Sequence, residues 1–172
     1  MELRGFHITV MASLLMFSPL YAINIPGNFT IIGLFKIHEP SGDRCGTEIN
    51  LESVMLAESV KWYIQQINTY AKLPFTIGFE AYETCQITGK ASEATVNVLS
   101  RVLNNEKIVG LIGPEYSSET ALVASMLGSA VEDRRLPQVG FSATATGLVD
   151  QKKYPSFVRV IPNDDVQVDV RL

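Results

Sequence analysis

The segment 29–35, FTIIGLF, is an almost unbroken apolar run, the pattern of a strand buried on both faces. After a polar loop through Cys45, apolar residues return at helical spacing over 51–70: Leu56, Val60, Tyr63/Ile64 and Ile67. Asn50 suits the N-cap of that helix, and Pro74 stops it. The stretch 75–82, FTIGFEAY, puts Phe75, Ile77, Phe79 and Ala81 on one face of a second strand. Residues 91–103 then carry Ala94, Val98, Leu99 and Val102 at helical spacing. IVGLI (108–112) predicts a third strand, 117–131 a third helix, and PQVGF (137–141) a fourth strand. FVRVI (157–161) predicts a fifth, and PNDDVQVDV opens another helix. Strands alternating with helices of about 15 residues predict βαβ units, hence an α/β fold with a parallel sheet and helices on both faces.

Before the first of these strands the pattern changes. Arg4 lies in a short polar start, an apolar run follows from Ile8 to Phe17, and SPLYA closes on Ala22. This predicts a signal peptide over 1–22, leaving 23–172 as the mature part. A membrane span needs about 20 apolar residues, and Ser18-Pro19 ends this run too early for that. Secretion makes the Asn28-Phe29-Thr30 triplet a usable N-glycosylation acceptor at Asn28. It also favours pairing the chain's two cysteines, Cys45 with Cys85.

The third and fourth strands both run into hydroxyls. IVGLIGPEYSSET brings Ser117, Ser118 and Thr120, and LPQVGFSATATG brings Ser142, Thr144 and Thr146. In open α/β sheets ligands bind beyond the carboxyl ends of the strands, which is where both clusters fall. Ser117 and Ser118 begin the third helix, where free N–H groups accept an anion such as a carboxylate. Ser142 and Thr144 add donors and acceptors able to orient an amine as well as an acid. The same residues equally suit a helix N-cap and an ordinary polar loop.

Other chemistry is poorly represented. A net charge of −4, from 14 Lys+Arg and 18 Asp+Glu, does not advertise a nucleic-acid partner. Catalysis lacks an acid–base partner, because the mature chain has one His, His38, far from the hydroxyls in sequence. GFSAT lacks the second Gly of a nucleophile elbow, since Thr144 holds that place. A phosphate-binding loop at TGKAS (88–92) would need Gly where Thr84 stands and Ser or Thr where Ala91 stands. No spacing suits a metal site or cofactor, His38 reads as a packed or capping residue, and Trp62 as core or interface.

Seven segments in one order, IIGLFKIHE, RCGTEI, KWYIQQIN, FEAYETC, GLIGPEYSS, LPQVGFSAT and YPSFVRVIPND, with their spacing, resemble the extracellular ligand-binding domain of class C G-protein-coupled receptors. The resemblance runs over about residues 29–172. It implies lobe one of a two-lobed, periplasmic-binding-protein type I clamshell, with the sequence ending before lobe two. It further implies the Cys45–Cys85 disulfide, and that Ser117, Ser142 and Thr144 hold the α-carboxylate and α-amine of an amino acid. The partners it implies are an amino-acid-like ligand and a homo- or heterodimer through lobe one, with Leu122, Val123 and Met126 as candidate contacts. A G protein would be reached only through a membrane domain beyond this sequence. The implied location is the extracellular side of the plasma membrane, or secretion for the sequence as written.

Departures from the glutamate-binding members bear on the ligand. Leu56 stands where they hold the ligand's distal acid with a basic residue, and Glu52 replaces a Tyr. The loop NNEKIV is too short to carry an inter-subunit cysteine. A natriuretic-peptide-type receptor domain and a secreted serine-dependent hydrolase are the alternative readings, the latter testable through Ser142.

Overall fold

A computed structural model describes residues 21–129 and 135–169. The elements in chain order are β1 (Tyr21–Ile25), β2 (Phe29–Phe35), β3 (His38–Ser41), β4 (Arg44–Ile49), α1 (Leu51–Tyr70), β5 (Ile77–Glu83), α2 (Thr88–Leu103), β6 (Ile108–Ile112), α3 (Ser117–Ser129), β7 (Gln138–Gly140), β8 (Phe157–Arg159) and α4 (Asp164–Asp169). A 3-10 turn, Thr146–Val149, lies between β7 and β8. The predicted leader falls on residues outside the described ones, except that Tyr21 and Ala22 belong to β1. The predicted end of α3 at Val131 also lies outside them.

The main sheet has six strands in the order β1-β5-β2-β6-β7-β8. β2 pairs in parallel with both β5 and β6, and β6, β7 and β8 continue in parallel. β1 departs from the expected all-parallel sheet by running antiparallel to β5 at the edge, with Ile25 opposite Phe79. The chain leaves β2 through α1 to reach β5 on one side, then returns through α2 to β6 on the other. That reversal puts α1 on one face and α2 with α3 on the opposite face, as right-handed crossovers require. Beside β2 the connections diverge, which opens a crevice at the strands' carboxyl ends.

Two apolar layers follow from this winding. Ile32, Leu34, Val98, Leu111, Val123 and Leu127 fill the α2/α3 side, whereas Phe35, Phe79, Ala81, Ala57 and Ile64 fill the α1 side. α1 covers only part of its face. A groove of about 460 Å³ beside it is lined by Phe35, Leu56, Val60, Tyr63, Ile112 and Phe141. For that reason the apolar periodicity of 51–70 overstates the buried stripe: Tyr63 is 64% exposed and Leu56 37%. Trp62, expected in core or interface, is 55% exposed and rests edge-on against Tyr63 at 5.3 Å between centroids.

The polar stretch expected as a loop is the hairpin β3–β4. Its attachments are covalent and polar. Cys45 is disulfide-bonded to Cys85, with 5.3 Å between Cα atoms. The Glu83 carboxylate accepts from the N–H groups of Ile37 (3.0 Å), His38 (3.1 Å) and Cys85 (2.7 Å), and the His38 ring meets it at 2.8 Å.

Candidate functional site

β6 delivers the first hydroxyl cluster through a turn that only glycine suits. Gly113 has φ +88°, and an added Cβ would run into the Leu34 carbonyl. Beyond it Glu115 and Tyr116 lead into α3. The second cluster is set by alternation: Ala143 is buried against Ala124, Leu148, Tyr154 and Phe157, which leaves Ser142 exposed and Thr144 half-buried on either side. The Thr144 and Ala145 carbonyls accept from Arg159 Nη1 at 3.3 and 3.2 Å, and the Thr144 carbonyl also accepts from Asp164 N–H at 3.0 Å. Those bonds hold the loop while leaving the Thr144 hydroxyl outside them.

All three predicted ligand residues line one open, polar pocket of about 350 Å³. Ser117, Ser142 and Thr144 share it with Lys36, Asn50, Glu52, Leu56, Glu115 and Tyr116. Ser117 is the first residue of α3 and its hydroxyl accepts from Ala145 N–H at 3.2 Å, so it joins the two loops rather than capping its own helix. Ser118 is exposed and does not line the pocket.

The far wall is an ordered set of charges. Lys36 Nζ donates to both Glu39 oxygens (3.0 and 3.1 Å) and to the Tyr116 hydroxyl (3.0 Å). Burial pulls the Lys36 amine down, but the bonds to Tyr116 and Glu39 outweigh it and hold the amine above its ordinary value. The Asn50 amide donates to Glu39 at 2.7 Å and, with Lys36, holds that carboxyl below its usual range. Asn50 Oδ1 simultaneously accepts from Ser53 N–H at 2.8 Å as the α1 N-cap, as expected. Ser53 Oγ donates to Glu115. As pocket residues Lys36, Asn50, Glu115 and Tyr116 escaped the sequence reading, although Lys36 and Glu115 lie beyond the ends of β2 and β6, where the same strand-end rule points.

The remaining candidate chemistry is scattered. His38 sits in the hairpin against Glu83, with no contact to the hydroxyls among the described residues. Cys45, Glu83 and Cys85 lie within 4.8 Å of one another, but the two sulfurs are joined and offer no thiolate to an ion. Asn28 is exposed, and its Oδ1 accepts from Thr76 N–H at 2.8 Å. Among the described residues no helix is long and apolar enough to cross a membrane.

A doubly wound lobe with its polar pocket at the sheet's carboxyl edge is the architecture of a periplasmic-binding-protein-like ligand-binding region. The family model of the receptor family ligand binding region matches residues 56–172, and the chain belongs to that family. It is 30% identical over 171 residues to taste receptor type 1 member 1 of Mus musculus, covering 86% of this chain and 20% of that protein. With G-protein coupled receptor family C group 6 member A of Homo sapiens the identity is 32% over 176 residues, 86% of this chain and 18% of the relative. Metabotropic glutamate receptor 4 of Rattus norvegicus is 26% identical over 168 residues, 85% of this chain and 18% of the relative. The chain thus spans about a fifth of the length of these relatives.

Proposed function

We propose that this chain forms lobe one of an extracellular receptor domain that senses an amino acid or similar small zwitterion. The observation that carries the reading is the convergence of Ser117, Ser142 and Thr144 on one pocket at the N-terminal end of α3. The helix end and the Ser117 hydroxyl suit a carboxylate, and the hydroxyls of Ser142 and Thr144 suit an ammonium group. Leu56 gives no counter-charge for a second acid, and Glu52 and Glu115 repel one, so a basic or neutral side chain is favoured. Lys36 is held by Glu39 and Tyr116 instead of facing a ligand unpaired.

The wider setting belongs to the same proposal. Residues 1–22 act as a secretory signal, Asn28 carries a glycan, and the lobe works outside the plasma membrane as part of a longer receptor that reaches its G protein through a membrane domain. Pairing through α2 and α3, with another copy or a related chain, completes the picture. Support for an outward apolar strip there is that Val96 and Leu103 are 57% and 60% exposed.

Saturation-transfer NMR of the protein against a panel of L-amino acids tests the ligand class, because it registers weak binding. Signals from L-arginine and neutral amino acids, with none from L-glutamate, are expected. A panel without any responding amino acid contradicts the reading.

A further inference from the structure

The first turn of α3 carries a side chain that this pocket leaves unused. Glu119 is 1% exposed, and neither of its carboxylate oxygens has a hydrogen-bond partner among the described residues. A charge so placed has neither water nor donors, whereas the neutral acid tolerates the site. Four groups face it. Thr84, just after β5, is equally buried, and its hydroxyl is likewise without a hydrogen-bond partner among the described residues. Glu115 before α3, Lys36 after β2 and Glu83 at the end of β5 supply the surrounding charge. Burial above all, helped by Glu115 and Glu83, holds a proton on Glu119, while Thr84 and Lys36 oppose it; the carboxyl is pushed up to about 7.

Its place relative to the pocket gives this proton a consequence. Glu119 stands two residues after Ser117, on the turn whose free N–H groups would seat the ligand's carboxylate. Negative charge there neutralises part of the positive helix end and repels an incoming anion. Glu115 and Lys36, which feel the charge of Glu119, also line the pocket. We propose that Glu119 is a proton-linked positioning residue: when its buried carboxyl takes a proton from solvent, the N-terminus of α3 grips an anionic ligand group more strongly, so ligand binding takes up protons. No bond to the ligand is made or broken. The inference rests on the amino-acid reading of the site.

Two measurements on the full 172-residue chain keep the two ideas apart. The first is the denaturant midpoint as a function of pH. Because the folded-state carboxyl lies above its ordinary 4.5, the stability it contributes is complete below that value and is lost as pH rises through about 7. Glu119→Gln, uncharged throughout, removes that slope. The second is L-arginine binding, followed at the amides of Ser117 and Thr144 at about pH 5.5 and about pH 8, either side of the transition. Wild type should bind roughly three- to tenfold more tightly at the lower pH, and Glu119→Gln equally at both. Every other ionisable group is common to both proteins, so the difference isolates Glu119. Identical pH profiles in the two proteins overturn the proposal. Binding with an affinity indifferent to pH also overturns it and leaves the pocket standing. A pH-dependent midpoint with no L-arginine binding at either pH sinks the amino-acid reading, and the ligand coupling with it. Should Glu119→Gln not fold, the infrared carbonyl band of a buried protonated acid in wild type decides: it should grow as pH falls through about 7, and its absence at about pH 6 overturns the inference.

Discussion

The Ser117 hydroxyl accepts a hydrogen bond from the backbone N–H of Ala145 at 3.2 Å, joining residues 28 positions apart. Through that bond the start of α3 and the loop after β7 form one surface. Ser117→Ala removes the acceptor from a half-buried amide, at a cost of about 1 kcal/mol in unfolding free energy. If the ligand's carboxylate also uses this hydroxyl, the same substitution weakens binding by roughly ten- to a hundredfold. Urea unfolding and ligand titration of the variant read the two effects separately, and a variant unchanged in both would remove Ser117 from the account.

The hairpin β3–β4 depends on the disulfide to a degree its own sequence does not suggest. Cys85 is fully buried, and the bond closes a loop with a sequence separation of 40 residues. Cys85→Ser should cost about 2–5 kcal/mol. Mass spectrometry of unreduced peptides checks the linkage, and urea midpoints of the variant check the cost. Free thiols in protein made under oxidising conditions would contradict the pairing.

Gly113 permits the turn that aims the first hydroxyl cluster. With φ +88° and the Leu34 carbonyl in the path of any Cβ, Gly113→Ala is strained twice over. About 1–3 kcal/mol of stability should be lost, with displaced amide resonances over 113–118. An alanine variant as stable as wild type would show that the turn is not required.

Adjacent residues of α3 separate a surface role from a core role. Leu122 is 36% exposed and Met126 half-buried, but Val123 is 0% exposed within the α2/α3 core, so it cannot belong to the dimer contact expected of all three. Helical geometry turns it about 100° from Leu122, toward the sheet. Val123→Ala should cost about 2 kcal/mol in stability. Leu122→Asp should leave stability nearly unchanged and abolish self-association in sedimentation experiments. A protein that is monomeric before the substitution leaves Leu122 without that role.

The parallel strands were legible because burial on both faces forces continuous apolar runs such as FTIIGLF and IVGLI, and α1 because Asn50 and the run to Tyr70 bound it on both sides. β3 and β4 were not legible. They carry Pro40, Gly46 and charged residues, and are fastened by Cys45 and by Glu83, a partner more than thirty residues away. β1 was hidden for another reason, since its first two residues, Tyr21 and Ala22, read as the end of a leader. The hydroxyl pocket followed from where its strands end. Glu119 left no such trace: in a pattern an acidic residue in a first helical turn looks like a solvated, dipole-matched side chain, and only packing shows it buried.

The central claim is that Ser117, Ser142 and Thr144 form one amino-acid pocket, and amide chemical-shift mapping during titration with L-arginine tests it most directly. Shifts that saturate together at Ser117, Ser118, Ser142, Thr144 and Ala145, with residues of the β3–β4 hairpin tip unmoved, are the predicted result. Saturable shifts centred elsewhere, or no movement at these amides while L-arginine binds, would contradict it and return the hydroxyls to holding two loops together.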